Sequence, residues 1–323
     1  MKRRDFTIGG MAAVAGLASR NVQAQAWPSR TIHVVVPFTA GSATDTVARA
    51  VGAALTTSLG QTVVIENKGG AGGTIGAAQV AKAAPDGYTL LVHSSGHTVN
   101  PAMYPSLPYD TAKDLVGVSM LAQLPNVLVV SPSKGWKTVQ DVVKAAKAEP
   151  GKLTYASAGA GSATHMNIEK FRLRAGFEAV HVPYKGTPEA LTDTMSGRVD
   201  MFFAPVVAAL GLVREGRLLG LAVGGEKRAS VLPDVPTTEE AGYAGSAYNF
   251  WVGMMAPAGV PAAIIEKLNG EVKRALTSPE VAGRLSPLGA DAAPMAAAAF
   301  NKLIARELED NAKLVREAGI KLM

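Results

Sequence analysis

The sequence contains no cysteine and few aromatic residues, and both shortages narrow what the chain can be. With no cysteine among 323 residues, no disulfide can form, so the core alone must stabilise the fold. Aromatic residues make up only 6% of the chain, whereas hydrophobic residues reach 48% and glycine occurs 34 times. This composition is typical of a well-packed α/β protein.

Long apolar runs and a strong excess of one charge are also missing. Beyond the N-terminal region, no segment reaches membrane-spanning length without charged residues. The formal net charge is +6, and losing residues 1–26 removes four basic residues and one acidic residue, which leaves +3. This small excess is scattered over helix faces, so the composition gives no indication of a nucleic-acid partner.

The N-terminus has the pattern of an export signal. The basic start Lys2-Arg3-Arg4 precedes a short run of apolar and small residues, Ile8–Ala18, and then a small-x-small cleavage site, Ala24-Gln25-Ala26. Arg3-Arg4-Asp5-Phe6 resembles the start of a twin-arginine signal. The sequence therefore predicts a cleaved signal peptide over residues 1–26 and a mature protein in the periplasm.

The pentapeptide Ala-Gly-Ser-Ala-Thr occurs at 40–44 and again at 160–164, each time between a strand-like and a helix-like run. A small-residue loop that opens a helix presents free backbone N–H groups at the positive end of the helix dipole, which favours a carboxylate or phosphate. We therefore expect two similar lobes that each offer one anion site to a shared cleft. The alternative is two ordinary strand–helix turns in a chain rich in alanine and glycine.

Apolar runs of strand length alternate with amphipathic stretches of helix length, which predicts an open α/β architecture. The predicted strands are Ile32–Phe38, Val63–Asn67, Thr89–His93, Val127–Ser131, Leu153–Ala156, Ala179–Pro183, Asp200–Phe203 and Leu219–Val223. The predicted helices are Asp45–Leu59, Thr74–Ala83, Val139–Ala148, His165–Ala175, Pro188–Ser196, Ile264–Leu276 and Met295–Ala318. Because many strands are continuous apolar runs, we expect mostly parallel sheets covered on both faces.

The order of these elements predicts two lobes. Residues 27–125 and 250–323 would form the first lobe and residues 126–249 the second, so the chain would cross between lobes twice. Helices after Ala256 have no predicted sheet of their own and would pack on the first lobe. Both pentapeptide loops follow strand ends, where open α/β sheets bind ligands. Such an anatomy is that of an exported solute receptor that closes by a hinge.

Several motifs in order resemble the Bug family, the solute receptors of tripartite tricarboxylate transporters. They are PFTAGSATD (37–45), VIENKGGAGG (64–73), PDGYTL (85–90), YASAGAGS (155–162), His165, VPYKG (182–186), LPDVPT (232–237) and APAG (256–259). The resemblance covers essentially the whole mature chain. It implies a two-lobed Venus-flytrap fold of the type II periplasmic-binding class. It also implies a small carboxylate ligand, held in the cleft by main-chain amides and waters without an arginine clamp. Many family members carry Gly-Gly where this chain has Gly41-Ser42.

The candidate ligand-binding residues lie on the two loops and on the strand ends beside them. They are Phe38, Gly41, Ser42, Ala43, Asp45, Ser94 and Ser95 in the first lobe, and Ser157, Ala160, Gly161, Ser162, His165 and Ala204 in the second. Ser42 and Asp45 also fit a capping box, in which the Asp returns a hydrogen bond to the cap. His165 stands at the corresponding position of the second loop. Because a protonated imidazole cannot accept that bond, His165 is interpreted as a pocket residue.

Other motif classes are incomplete. His93 and His97 lack the HExxH spacing of zinc proteases, no run completes a dinucleotide or P-loop fingerprint, and no GxSxG elbow is present. We therefore expect no metal, no cofactor and no enzyme activity. The leading interpretation is a monomeric solute-binding protein that delivers a carboxylate to membrane permease subunits. An exported α/β hydrolase-like enzyme and a ligand-binding sensory receptor are the alternatives.

We predict that the exported protein lacks residues 1–26. The Ala24-Gln25-Ala26 site places the new N-terminus at Trp27. Intact-mass measurement on periplasmic protein checks this, and a mass that still includes Met1 would contradict it.

Overall fold

The computed structural model describes residues 27–323, which form two β-sheets flanked by helices. The strands are β1 (Ile32–Val36), β2 (Val63–Asn67), β3 (Thr89–Ser94), β4 (Leu115–Gln123), β5 (Asn126–Val130), β6 (Thr154–Ser157), β7 (Val180–Pro183), β8 (Met201–Pro205), β9 (Leu219–Val223), β10 (Trp251–Pro257) and β11 (Asp291–Ala292). The α-helices are α1 (Ala43–Leu59), α2 (Thr74–Ala81), α3 (Asn100–Met103), α4 (Val139–Ala148), α5 (Ala163–Ala175), α6 (Thr187–Met195), α7 (Val206–Arg214), α8 (Ala262–Thr277), α9 (Pro279–Leu285) and α10 (Ala297–Glu317). The predicted signal peptide lies outside the described residues.

The two sheets have strand orders β11-β4-β10-β3-β1-β2 and β7-β6-β8-β5-β9. Strand β1 pairs in parallel with β2 and β3, and β6 pairs in parallel with β7 and β8. The remaining pairs, which involve β4, β5, β9, β10 and β11, are antiparallel. The expectation of mostly parallel sheets was therefore wrong. Continuous apolar runs report burial on both faces, and helices cover both faces of an antiparallel strand equally well.

Two central strands, β4 and β10, were missing from the sequence-based assignment. Gly117 and Ser119 interrupt the apolar run of β4, and Gly253 interrupts β10, so neither strand shows a clean period. Both nevertheless lie in the middle of the first sheet, where β10 pairs with β3 and β4. Helices α3, α7 and α9 were also missed. The short strand β11, likewise not predicted, pairs with β4 at the edge of the first sheet.

The chain passes between the two sheets along two neighbouring segments. The first joins β4 to β5, and the second leads from β9 to β10. The Leu124 N–H donates to the Phe250 carbonyl over 2.9 Å, so the two segments are hydrogen-bonded to each other. The boundaries of the lobes at 125/126 and 249/250 stay a prediction, since a hinge is defined by motion.

Each sheet has its own core. In the first, Trp251 of β10 and Phe300 of α10 pack edge to face with ring centroids 5.2 Å apart. In the second, Phe171 of α5 packs in the same manner against Phe203 of β8 at 5.7 Å. Trp251 directly follows the second crossing segment, and its indole N–H donates to Glu307 over 2.9 Å. No helix within residues 27–323 is long and apolar enough to cross a membrane.

Candidate functional site

The two pentapeptide loops have the same backbone conformation. Gly41 and Gly161 both adopt left-handed geometry, with φ of 80° and 77°. The residues that follow them, Ser42 and Ser162, are the N-caps of α1 and α5, with φ, ψ of −67°, 160° and −68°, 159°. Each Ser Oγ accepts a hydrogen bond from the backbone N–H three residues later, in both loops over 3.3 Å. The repeated sequence therefore builds the same helix cap twice.

A second hydrogen bond also recurs, but with different chemistry. In the first loop the Gly41 N–H donates to Asp45 Oδ2 over 2.9 Å. In the second the Gly161 N–H donates to His165 Nδ1 over 3.2 Å. The return bond thus goes to the residue before the cap, and His165 makes it as a neutral imidazole. The expectation excluded this bond only for a protonated imidazole, so the neutral ring explains how His165 takes the capping position. The amides of Gly41 and Gly161 are thus engaged within their own loops.

The unpartnered donors are the amides of the first helical turn. Within residues 27–323 the backbone N–H groups of Ala43 and Thr44 in α1 have no hydrogen-bond acceptor, and neither do those of Ala163 and Thr164 in α5. All four residues are buried. Helices of 17 and 13 residues add the positive end of their dipoles at these points. The two helix ends are therefore strong positions for an anion.

These two helix ends face one narrow cavity between the lobes. The space in it that a water-sized probe can occupy is only about 20 Å³, room for about one water molecule. Its walls are formed by Phe38, Ser42, Ala43, Thr44, Ser94, Ala158, Ser162, Ala163, Thr164, Thr187, Pro205 and Phe250. Among residues 27–323, no charged side chain lines it. Sites for drug-sized ligands measure roughly 300–1,000 Å³, so this closed arrangement must widen to admit a ligand larger than a water molecule.

The lobes touch each other around the cavity. Gly96, just after β3, lies so close to the second loop that a Cβ there would be 2.9 Å from the Gly161 carbonyl oxygen. The Tyr104 hydroxyl donates to the Ala160 carbonyl over 2.9 Å, and Thr39 Oγ1 donates to Glu189 over 3.2 Å. The structure is thus a closed arrangement of the two lobes.

Five of the candidate residues line this cavity, and eight lie behind it or beside it. Phe38, Ser42, Ala43, Ser94 and Ser162 are in the wall, whereas Gly41, Asp45, Ser95, Ser157, Ala160, Gly161, His165 and Ala204 are not. Ala204 precedes the wall residue Pro205, and Ser95 follows Ser94. Ala160 lies at the contact between lobes. Gly41 and Gly161 belong to the loops themselves, and Asp45, Ser157 and His165 accept hydrogen bonds from loop amides.

Seven wall residues were not among the candidates. Thr44 and Thr164 belong to the repeated pentapeptide, so the repeat itself signalled them. The others are Ala158, Ala163, Thr187, Pro205 and Phe250. Ala163 corresponds to the candidate Ala43 in the other loop. Phe250 lies on the second crossing segment, and only the fold shows that this segment forms part of the cavity.

Asp45 has a structural role beneath the first loop. Its carboxylate accepts from Arg49 Nε and Asn67 Nδ2, both over 2.9 Å, in addition to the Gly41 amide. Burial alone would raise the pKa of Asp45, but these hydrogen bonds and the Arg49 charge lower it overall. The carboxylate is therefore ionised and fully engaged with the protein.

Beneath the second loop, three aromatic rings form a stack, in which Tyr155 and His165 are buried and His181 is half-buried. His165 lies on His181 with ring centroids 4.0 Å apart, and His181 lies on Tyr155 at 5.0 Å. The Tyr155 hydroxyl donates to Glu169, which Arg172 binds over 2.8 Å. Burial lowers the pKa of both His165 and His181 to about 3. Both imidazoles are therefore neutral near pH 7.

Ser157 and His181 have the geometry of a nucleophile and its base, with 2.6 Å between Oγ and Nε2. Ser157 is completely buried, and its Oγ also accepts the Gly159 N–H over 3.0 Å. It does not line the cavity. The pair therefore braces the second loop from beneath.

His93, near the end of β3, and His97, just after it, are neighbours in the fold. His93 and His97 are buried with ring centroids 5.5 Å apart. Burial lowers the pKa of both, that of His97 to about 4. Within residues 27–323 there is no group of three or more His, Cys, Asp or Glu side chains arranged to hold a metal ion.

Two α/β lobes that bring matching anion loops to one cleft define the class of two-lobed periplasmic solute-binding proteins. The family follows from the sequence, because a family model described as the tripartite tricarboxylate transporter family receptor matches residues 47–320. The chain belongs to this family, and the resemblance to Bug receptors is confirmed.

Relatives and solved structures agree with this assignment. Protein BugT of Bordetella pertussis is 38% identical over 324 residues, which covers 100% of this chain and 99% of that protein. An R. palustris protein solved with adipate has a TM-score of 0.88 and 34% identity, covering 92% of this chain and 100% of that one. MatC from Rhodopseudomonas palustris with bound malate has a TM-score of 0.84 and 36% identity, covering 89% and 99%. The two-lobed α/β fold predicted from the sequence is confirmed.

We predict that acid destabilises this protein through its buried histidines. The pKa values of His93, His97, His165 and His181 are lowered on folding, so below about pH 6.5 the unfolded chain binds more protons than the folded chain. The free energy of unfolding should therefore fall between about pH 6.5 and pH 4. His97→Gln should reduce this slope by up to about 1.4 kcal/mol per pH unit. Urea unfolding at several pH values checks this, and an unchanged slope would contradict it.

Proposed function

We propose that this protein is a periplasmic receptor that captures a small carboxylate between its lobes and delivers it to the permease of a tripartite tricarboxylate transporter. The observation that carries the proposal is the pair of identical helix caps facing one cavity. Each cap leaves two buried amides without an acceptor, and a carboxylate has enough lone pairs to accept from both loops.

The chemistry of the wall favours a small acid. Amides and hydroxyls of Ser42, Thr44, Ser162 and Thr164 supply donors, while no Lys or Arg side chain of the part of the chain that the structure describes lines the cavity. Recognition would rest on oriented dipoles, which select by direction and reach rather than by long-range attraction. Adipate and malate, bound in two structural neighbours, are acids of this kind.

The location and the partner are proposed on separate grounds. The periplasm follows from the predicted signal over residues 1–26 together with the family, whose structural neighbours include a periplasmic transporter and a periplasmic binding protein. The permease subunits follow from the family description. We propose that the protein is a monomer. We also propose that it binds its ligand without catalysis, because the Ser–His pair beneath the second loop is closed to substrates.

We expect malate or adipate to bind and to compact the protein, whereas a neutral diamide of the same shape should do neither. A ligand closes two lobes only through its differential affinity for the closed state, and only an acid makes charge-assisted bonds to both loops. Calorimetry measures the binding, and small-angle scattering with and without ligand measures the closure. Equal binding of the neutral diamide would refute recognition by helix termini.

A proline substitution removes one ligand amide while sparing the helix. Ala43 is the first residue of α1, a position that proline tolerates, and Ser42 already has the extended ψ that a following proline requires. Ala43→Pro should weaken malate or adipate binding by about 1.5–3 kcal/mol, roughly ten- to hundredfold, as for the loss of a hydrogen bond to a charged group.

The matched control is Ala262→Pro. Ala262 is the first residue of α8 and is exposed outside the cavity, so the same chemical change there should leave calorimetric affinity unaltered. Thermal melting verifies that both variants fold. Undiminished affinity in folded Ala43→Pro would show that this amide is not a ligand donor.

A further inference from the structure

His165 occupies in the second lobe the place that Asp45 occupies in the first. Both accept the N–H of the glycine before the cap, at 3.2 Å and 2.9 Å. An imidazole Nδ1 and a carboxylate Oδ stand the same number of bonds from Cα, so the two side chains present an acceptor at the same point. This equal reach of the two acceptors is consistent with the matching backbone angles of the cap residues Ser42 and Ser162.

The charge around these two acceptors differs. The Asp45 carboxylate is balanced by Arg49 at 2.9 Å. No cation contacts His165 within the described residues, because Arg172, the nearest guanidinium in the stack, binds Glu169 at 2.8 Å and Glu178 at 3.0 Å. An unbalanced carboxylate at position 165 would lie beside the free amides of α5 and would oppose an anionic ligand there.

The surroundings of His165 fix its protonation state. Nδ1 accepts from the Gly161 N–H, which places the ring proton on Nε2, 3.5 Å from the Tyr155 hydroxyl oxygen. Tyr155 in turn donates to Glu169, and His181 covers one face of the His165 ring. The charged or titratable groups that face His165 are therefore Tyr155, His181 and the Glu169–Arg172 ion pair. Burial, with the Arg172 charge, disfavours the imidazolium.

We propose that His165 is a positioning residue for ligand binding: it supplies an uncharged acceptor that holds the second loop in its anion-binding conformation. This inference rests on the proposed function. Asp45 can hold the first loop as a carboxylate because Arg49 neutralises it. The second loop lacks such a cation, and a neutral acceptor gives the same backbone geometry without placing negative charge beside the ligand.

Four substitutions separate reach, packing and charge. His165→Asn keeps a neutral acceptor at the same number of bonds from Cα, His165→Gln moves the same amide one bond further out, and His165→Ala removes the acceptor. His165→Asp keeps the reach but adds a titratable charge. The probes are malate and adipate, with affinity measured by calorimetry and folding verified by thermal melting.

We expect Asn to keep the affinity within about threefold of the wild type, and Gln and Ala to lose roughly tenfold or more, the change that corresponds to one hydrogen bond. A role in packing alone predicts that the Gln variant binds more tightly than the Asn variant, because Gln fills the imidazole space better than Asn. If folded Gln and Ala variants bind as tightly as the wild type, the positioning role is wrong.

The Asp variant tests the charge independently. Between about pH 6 and pH 8, where a carboxylate is ordinarily ionised, the Asp variant should bind more weakly than the Asn variant, which keeps the affinity of the wild type. A flat profile for Asp at the level of Asn would overturn the charge argument. If the Ala and Gln variants fail to fold, the comparison of the Asp variant with the Asn variant still tests the charge argument. A wild-type protein that binds neither acid would refute the proposed function itself, which is a distinct outcome.

Discussion

The structure depends on what happens to the first free N–H groups of two helices. Every α-helix begins with donors that lack an internal acceptor, and burying them without a partner costs free energy. In α1 and α5 the cap serine satisfies one donor, and two amides at each helix end remain open toward the cavity. The closed arrangement brings these open donors together in a space from which bulk water is largely excluded. An anion that accepts from both helix ends satisfies them simultaneously, which links ligand binding to closure.

Close approach of the lobes requires small residues at their contact. Gly96 meets the second loop at a distance that leaves no room for a Cβ, and the Tyr104 hydroxyl reaches the Ala160 carbonyl. Small residues at this contact, such as Gly96 and Ala160, therefore permit the two lobes to meet. The cavity is consequently narrow, and Phe38 and Phe250 form the aromatic part of its wall.

Much of the secondary structure and the two loops could be predicted from the sequence, because local patterns determine them. Strands Val63–Asn67 and Leu219–Val223 and helix Val139–Ala148 occur with the predicted bounds, since each is a single uninterrupted pattern. Strands β4 and β10 were not predicted, because glycine and serine interrupt their hydrophobic pattern. Hydrogen bonds to neighbouring strands on both sides nevertheless hold them in the sheet. The free amides of the first helical turn were predictable from the repeat. The wall residues Thr187, Pro205 and Phe250 were not, because only the tertiary fold brings them together.

The capping role of His165 was not predicted from the sequence, and the reason applies to helix caps in general. A capping box is usually recognised by the residue type at its third position, and histidine falls outside that pattern. The backbone needs only an acceptor at the right number of bonds from Cα, and a neutral imidazole supplies one. Charge then decides which acceptor suits which lobe, because a carboxylate beside an anion site requires a cation to balance it. Arg49 meets that requirement for Asp45, and the engagement of Arg172 with Glu169 and Glu178 leaves the second lobe to a neutral side chain.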